Sequence, residues 1–464
     1  MILIEQNNQD FPKLYENLVE MIGKIDKTPQ LEMFKTPIKH FIKENHELVL
    51  LTHKISWDNL EQELSEYYCV DNGRPSIPIR TIAGILILKR MFNESDESVL
   101  DRWVENPYWQ YLCGEVYFQH ELPFDRTELI KFRKRIGDKG AEKILQMSIL
   151  LFEKKEIQEK EVLFDTTVQE KNITYPTDPK LHKRIIEHCR EIAKDEGIKL
   201  RQVFKKELKQ LMIDQRFHNH PKRKKKALAA QRRIKTISGK ILRDLERKLN
   251  TDQLKKYQEK INLFQLILKQ QKSSSFKIYS IHQPHVKCIA KGKEAKKYEF
   301  GNKSSIVKTI KSGIIIGAMA FDENIYDGDT LEPQIEQVER LIGYLPKFGI
   351  TDRGYRGRKS VLGVQIIIPK KLPAWVTRYS KQKFRKYFRA RAGIEPVIGH
   401  LKQDHRMNRN YLLDEIGDKT NTILAAAGFN LKKMLQRLKA EVNSIFVFIY
   451  NYILNMQKAA LFAA

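Results

Sequence analysis

Cysteine is scarce. Four residues, Cys69, Cys113, Cys189 and Cys288, stand far apart in a chain of 464 and form no CxxC pair. This spacing supports neither a disulfide framework nor a structural zinc cluster. No GxxxxGK[ST] sequence occurs, so the chain is not a P-loop ATPase and no nucleotide is expected to drive it. The opening MILIEQNNQDFPK has no basic n-region and no sustained apolar stretch, which predicts an intracellular, reducing location rather than export. Long apolar runs are lacking as well. The most apolar segment, Ser444-IFVFIYNYILNMQKAALFAA, offers only about 13 residues before the polar Met456-Gln-Lys458, with Asn443 and Asn451 beside or inside them, where a membrane span needs about 20. Residues 441–464 are therefore expected to form a helix packed on a sheet or on a second subunit, with no membrane partner.

The other shortage is acid. The chain has 57 Asp and Glu against 84 Lys and Arg, a net charge of +27, with a pI near 9.6. Hydrophobic content of 41% supports real cores and excludes collagen-like, mucin-like and wholly disordered classes. The excess is local. Residues 199–248 hold 18 basic against 4 acidic residues, and residues 370–410 hold 12 against 2. Solvated helix faces usually mix both signs, so this segregation points to a polyanion as partner.

Along the chain, residues 1–150 read as helical. Pro75-Ser-Ile-Pro78 breaks the chain, Ile79–Met91 is a strongly apolar helix, and a second runs from Glu97 to Glu105 before Asn106-Pro107. A basic helix starts near Asp125 and presents Arg126, Lys131, Arg133, Lys134 and Arg135, with Gly137 as its expected end. Short helices leading to a basic one resemble a helix-turn-helix, and these five side chains are candidates for DNA contact. A plain dimerisation domain is the alternative.

Glu161–Val168 then reads as a buried strand. Residues 178–271 read as a helical hairpin or arm, carrying Lys222, Arg223, Lys224, Lys225 and Lys226 as candidate phosphate contacts. Strand patterns resume at 276–282, 286–290, 313–321, 348–352 and 364–369, with an amphipathic helix at 331–345 and a long basic helix at 381–404. The sum is an α/β domain over residues 160–440 with a helical insertion.

Three acids stand where metal-dependent phosphoryl transfer needs them. Asp165 lies inside the first apolar strand, which is costly unless positive charge meets it. Asp352 ends a second strand, ahead of Arg353-Gly-Tyr-Arg356-Gly, and Glu395 lies on the basic helix. Two strand carboxylates and one from a covering helix can hold two divalent ions about 3.5–4 Å apart, one activating the attacking oxygen and the other stabilising the leaving one. Oxygen donors favour Mg²⁺, or Mn²⁺. At 100° per residue, Arg391, Glu395 and Lys402 share one helix face. A zinc site from His282, His285 and Cys288 is disfavoured, and Asp322, Asp327 and Asp329 read as ordinary turn residues.

LFDTT with Asp165, ITDRGYRG with Asp352, and RAGIEPVIGHLK with Arg391, Glu395 and Lys402 resemble the DDE transposases of bacterial insertion sequences, in the group numbered four and five. The spacing Arg, three residues, Glu, six residues, Lys matches that group. Its preceding tyrosine is Phe388 here, unless Tyr387 supplies the hydroxyl. The stretch PSIPIRTIAGILILKRMFNESDESVLDRWVENPYWQYLCG resembles the group's N-terminal domain. The resemblance implies an RNase H-like (retroviral-integrase-like) catalytic core. It also implies cleavage at inverted-repeat ends, joining of 3′ hydroxyls to target DNA, a homodimer when two ends are paired, and work at the bacterial nucleoid. Arg353, Arg356, Arg391 and Lys402 become candidate phosphate contacts. The competing readings are an RNase H-like nuclease without strand transfer and a catalytically silent DNA-binding protein.

Overall fold

Capping and apolar spacing explain the helices that open the structure, a computed structural model that describes residues 23, 35–69, 75–290, 297–370, 372–373 and 375–463. The chain divides into two compact units. The first comprises Met1–Gln169, Lys303–Phe321 and Ile325–Ala464, and the second Glu170–Asn302 with Asp322–Asn324. The helical residues up to 150 and most of the sheet thus share the first unit.

Ile79–Met91 is a helix as expected, buried at every position except Arg80, so its apolar residues run on without a polar stripe. Ser98–Glu105 follows and stops at Asn106. Asn106 then caps a further short helix, Pro107–Leu112, accepting from the Tyr108 and Trp109 amides, with proline at the first turn where its missing N–H costs nothing. Asp125 caps the basic helix Arg126–Leu150 through the Thr127 amide. Gly137 does not end that helix. It kinks it, with φ 58° and ψ −156°, and the chain turns helical again beyond. A Cβ at Gly137 would meet nothing within 4 Å. Gly137→Ala should therefore cost stability through backbone strain alone, about 1–3 kcal/mol, read as a lower urea midpoint at unchanged m-value; an unchanged midpoint would refute the kink's dependence on glycine.

The sheet combines β1 (Glu161–Lys171), β2 (Lys287–Ala290), β3 (Tyr298–Thr309), β4 (Ile315–Phe321), β5 (Phe348–Ile350), β6 (Ser360–Val361), β7 (Val364–Ile367) and β8 (Arg409–Asn410). Its order is β2–β3–β1–β5–β7–β6, with β4 beside β3 and β8 beside β1. β1, β5 and β7 run parallel, while β3–β4 and β6–β7 are antiparallel. The helix Leu331–Ile342 ends at Gly343 (φ 60°) and buries Ile335, Val338 and Leu341. Within the first unit Leu331, Ile335, Val338 and Leu341 join one core with Val162, Phe164, Ile306, Ile315 and Leu424.

β4 is an edge strand, and at two of its residues side-chain amides occupy the backbone groups. Asn430 accepts from the Ile315 amide (3.0 Å) and donates to its carbonyl (2.8 Å). Gln337 does the same for Ala318 (2.8 and 2.9 Å). The register shift opposite Val307 and Lys308 puts one extra residue into β4 between these points.

Three expectations change. Residues 276–282 form no strand. Instead the long Tyr298–Thr309 strand, unmarked by apolar alternation, buries Ser304 and Ser305, with Ser304 Oγ 2.9 Å from Thr422 Oγ1. The basic helix is not continuous: Arg378–Ala392 and Glu395–Asp404 are separated at Gly393 and Ile394, and Pro396 opens the second. Residues 441–463 extend one helix, Asp414–Ala463. Ile445 and Val447 are 59% and 58% exposed, so they do not pack on the sheet. No helix among the described residues is long and apolar enough to cross a membrane.

The second unit is a helical body rather than a two-helix arm. Asp178–Asp195, Lys205–Asp214, Lys224–Glu246 and Thr251–Lys269 are its helices. Ile185, Cys189, Ile237, Ile241, Leu245, Ile261, Phe264 and Ile267 form a core of their own. Each helix carries an apolar face, and four such faces close on one another more completely than two. β2 pairs with the Tyr298–Gly301 end of β3 in the same unit.

Candidate active site

Register puts the two strand acids side by side. Leu163 of β1 is opposite Ile350 of β5; two residues further along both parallel strands, that offset reaches Asp165 and Asp352. Asp165 lies within β1, just beyond the stretch paired with β5, and Asp352 lies just past the carboxyl end of β5, the side of a parallel pair on which α/β sheets place their ligand sites. Asp165 is buried and accepts from the Thr166 amide (2.9 Å). Asp352 caps the short turn Arg353–Tyr355 by accepting from the Gly354 amide (2.7 Å).

The break in the basic helix positions the third acid. Ile394 is buried with Leu163 and Ile350, which pins the crossing onto β1 and β5. Lys308, buried on β3, donates to the Gly393 carbonyl (2.7 Å), placing a cation at the end of the Arg378–Ala392 helix. Burial pushes the Lys308 ammonium below its ordinary value. Arg391, in the last turn of that helix, reaches all three carboxylates. Its Nη2 is 3.8 Å from both Asp165 Oδ2 and Asp352 Oδ2, and its Nη1 is 3.5 Å from Glu395 Oε1. Glu395 opens the next helix with its side chain 65% exposed. The shared face drawn for one continuous helix thus applies only to Glu395 and Lys402, two turns apart on the second.

A fourth carboxylate joins them. Asp327, expected from sequence to be a turn residue, accepts from Thr166 Oγ1 (2.9 Å) and Lys303 Nζ (2.8 Å). A Cβ on Gly354 would lie 2.6 Å from Asp327 Oδ2 and 2.9 Å from Asp352 Oδ1, so only glycine leaves that space open. Tyr355 is buried beside these acids. Burial first, then the charges of Asp165, Asp327 and Asp352, keeps its hydroxyl protonated well above the ordinary tyrosine range. Little in the chain's local pattern marks Asp327 or Tyr355; only the glycines around Tyr355 hint at close packing.

Carboxylate oxygens on strand ends fit a hard divalent cation. In this arrangement, among the described residues, no three histidine, cysteine or acidic groups stand close enough to ligate one ion. The positive charge at the centre of the acids is the Arg391 guanidinium, whose buried Nε has no hydrogen-bond partner among the described residues.

The remaining candidates separate. Arg353 and Arg356 are exposed beside Asp352. Tyr387 does not supply the missing hydroxyl at the acids: it is buried and donates to Glu161 Oε1 (3.0 Å) at the start of β1, with burial pushing it up to about 12. Arg133 is not available to DNA. It is buried and holds Asp96 through two hydrogen bonds (2.7 and 2.8 Å). Its neighbours on that helix are exposed but engaged: Arg126 with Glu97, Lys131 with Glu128 (2.6 Å), Lys134 with Asp414 (3.7 Å), and Arg135 4.4 Å from the Tyr68 ring. In the second unit Lys222–Lys226 are all exposed. Lys226 pairs with Asp214 (3.1 Å) and Arg223 covers the Phe217 ring, while Lys222, Lys224 and Lys225 make no ion pair among the described residues.

Two stretches of the chain match known families. Residues 36–135 match a family described as a transposase domain (DUF772), and residues 273–431 match the transposase DDE domain. Asp352, Arg391 and Glu395 lie within the second match and Asp165 precedes it. An uncharacterized protein, ORF8 of the nfe locus of Rhizobium meliloti, is 35% identical over 193 residues, covering 41% of this chain and 93% of that relative. No solved structure matches. With a transposase domain match over residues 36–135 and a DDE domain match over residues 273–431, the chain belongs to the DDE transposases of insertion sequences.

Proposed function

We propose that this transposase binds the terminal inverted repeats of its element, cleaves the phosphodiester at each end and joins the freed 3′ hydroxyls to target DNA. The observation that carries this reading is the meeting of Asp165 and Asp352, each two residues beyond the Leu163–Ile350 pair of parallel strands, at the guanidinium of Arg391 four residues before Glu395. The antiparallel β3–β4 pair in one sheet with parallel β1, β5 and β7 supports an RNase H-like core. Asp165, Asp352 and Glu395 are the residues that would hold Mg²⁺ or Mn²⁺, two ions in the full site, which supply activation of the attacking oxygen and stabilisation of the leaving one. Until then Arg391 offsets the mutual repulsion of the acids, and it can turn to a scissile phosphate, for which a guanidinium is a bidentate partner. Lys303 and Thr166 fix Asp327, which keeps the loop carrying Asp352 in place through Gly354. Arg353, Arg356 and Lys402 are positioned to add phosphate contacts. Two copies would act together on paired ends.

Labelled DNA carrying the repeats that border the gene, incubated with the full chain and Mg²⁺, tests this. Cut and joined products are expected. Cutting without joining would instead assign a nuclease, and a mobility shift alone a silent DNA-binding protein.

The second unit supplies phosphate contacts in the same reading. Lys224–Lys226 crowd the first turn of their helix, where the dipole disfavours cations. A polyanion would relieve that clustering. Replacing Lys222, Arg223, Lys224, Lys225 and Lys226 by Gln should weaken binding to all DNA alike and flatten the log–log salt dependence, by about 0.9 for each phosphate that is no longer neutralised. An unchanged slope would leave these residues as a solvated loop.

A further inference from the structure

Arg391 pairs with Asp165, Asp352 and Glu395 at once, and none of the three contacts is close. Its Nη2 stands 3.8 Å from Asp165 Oδ2 and 3.8 Å from Asp352 Oδ2, and its Nη1 3.5 Å from Glu395 Oε1. Ordinary N–H···O bonds run at about 2.7–3.2 Å, so these are loose ion pairs. The Nε has no hydrogen-bond partner among the described residues, and a buried donor left unmet is costly. The side chain is 23% exposed, so it is not sealed in. The backbone that follows is held: Ile394 packs with Leu163 and Ile350, and Lys308 Nζ donates to the Gly393 carbonyl (2.7 Å). A change of partners at Arg391 therefore falls to its long, rotatable side chain.

Two kinds of positive charge claim the same carboxylate oxygens. Around the guanidinium the acids stand apart: among the described residues, no three histidine, cysteine or acidic groups are close enough to ligate one ion. Gathering them on a divalent cation would set that cation against the guanidinium, and like charges a few ångströms apart repel. One of the two has to leave. A DNA phosphate gives Arg391 somewhere to go. It offers two parallel charge-assisted bonds at about 2.7–2.9 Å, closer than any of the three ion pairs, and can take in the unmet Nε. One phosphate does not outbid three acids by charge alone. It prevails together with the cation that takes the acids over.

We propose that Arg391 is an electrostatic latch: without DNA it holds the three carboxylates and competes with divalent cations for them, and a DNA phosphate draws it away. The latch rests on the reading above, in which Asp165, Asp352 and Glu395 hold the metal, and adds how that site is regulated. Metal loading and DNA binding then favour each other by the same factor, because such coupling is reciprocal.

Titration of Mn²⁺ into the full chain, with the free ion followed by electron paramagnetic resonance, tests the latch. Without DNA, Arg391→Met, which keeps an apolar stem and drops the charge, should bind Mn²⁺ at least about fivefold more tightly than the parent. Arg391→Lys should restore most of the block, since competition needs a charge and not the planar fork. Element-end duplex, with its own Mn²⁺ uptake subtracted, should tighten Mn²⁺ binding to the parent and do much less for Arg391→Met. A guanidinium that merely scaffolds the acids predicts the opposite sign. Equal or weaker Mn²⁺ binding by folded Arg391→Met would therefore overturn the latch, and the metal reading would survive if Asp352→Asn still loses uptake. Undiminished uptake by Asp352→Asn would instead remove the metal site and the latch with it. If Arg391→Met does not fold, the parent decides: a duplex that leaves its Mn²⁺ affinity unchanged refutes the coupling.

Discussion

Asp352→Asn is expected to lower the rate of DNA cleavage by about 10³-fold or more, about 4 kcal/mol of barrier, while element-end binding stays within about twofold. The substitution is chosen for what it keeps. Asn retains an oxygen that can accept from the Gly354 amide, so the turn Arg353–Tyr355 keeps its cap. What disappears is the negative charge facing Arg391, the property a divalent cation requires. Asp165→Asn should behave alike, because the two carboxylates meet at one guanidinium nitrogen. The pair should be far less than additive, since removing either partner already disables one shared site. Cleavage undiminished by Asp352→Asn, with folding verified, would reject the assignment.

Asp96→Ala is expected to cost about 3–5 kcal/mol of stability, the range for breaking a buried ion pair. Asp96 answers two buried cations at once, Lys89 and Arg133, and its loss strands both. Burial alone would raise the Asp96 carboxyl, but the Arg133 hydrogen bonds and the Lys89 charge outweigh it and hold the group well below its ordinary 3.8. Its contribution is therefore complete above about pH 4 and drains away as the pH falls further. Lys89 works in the opposite range. Burial, with Arg133 and Arg90 nearby, pushes it from 10.5 down to about 7 despite Asp96. Between those values the unfolded chain holds a proton that the folded chain has released, so stability rises with pH from about 7 toward 10.5. Lys89→Met should flatten that rise. Urea denaturation at several pH values checks both claims, and a parallel rise in Lys89→Met would refute the second.

How much of this was legible in the sequence depended on which force fixed each element. Ile79–Met91, β1 and β4 are held by apolar burial, and their residues say so directly. The three acids stand out in the sequence because a carboxylate in or beside an apolar strand needs a reason, and the structure brings all three to Arg391. β3 was missed because its inward positions include Ser304 and Ser305, satisfied by hydroxyl and backbone partners that only tertiary structure supplies. The break at Gly393 was missed for a similar reason: Lys308, 85 residues away, holds the carbonyl there. Asp327 looked like any turn aspartate until Thr166 and Lys303 were brought against it. Arg133 erred the other way. A basic residue on a basic helix reads as solvent-facing, and nothing local reveals that its partner is Asp96, 37 positions earlier.

The amides that occupy the free edge of β4 have a consequence for self-association. Ile314-Ile315-Ile316 is the kind of apolar β segment that recruits a matching strand from another molecule. Asn430 and Gln337 each engage both backbone groups of one residue, so an incoming strand would find its docking points at Ile315 and Ala318 already taken. Growth of the sheet across molecules is closed on this side. At this edge, copies brought together at high local concentration on one DNA segment would meet through side-chain surfaces, which can be polar and reversible, rather than by merging backbones into an edge-to-edge stack.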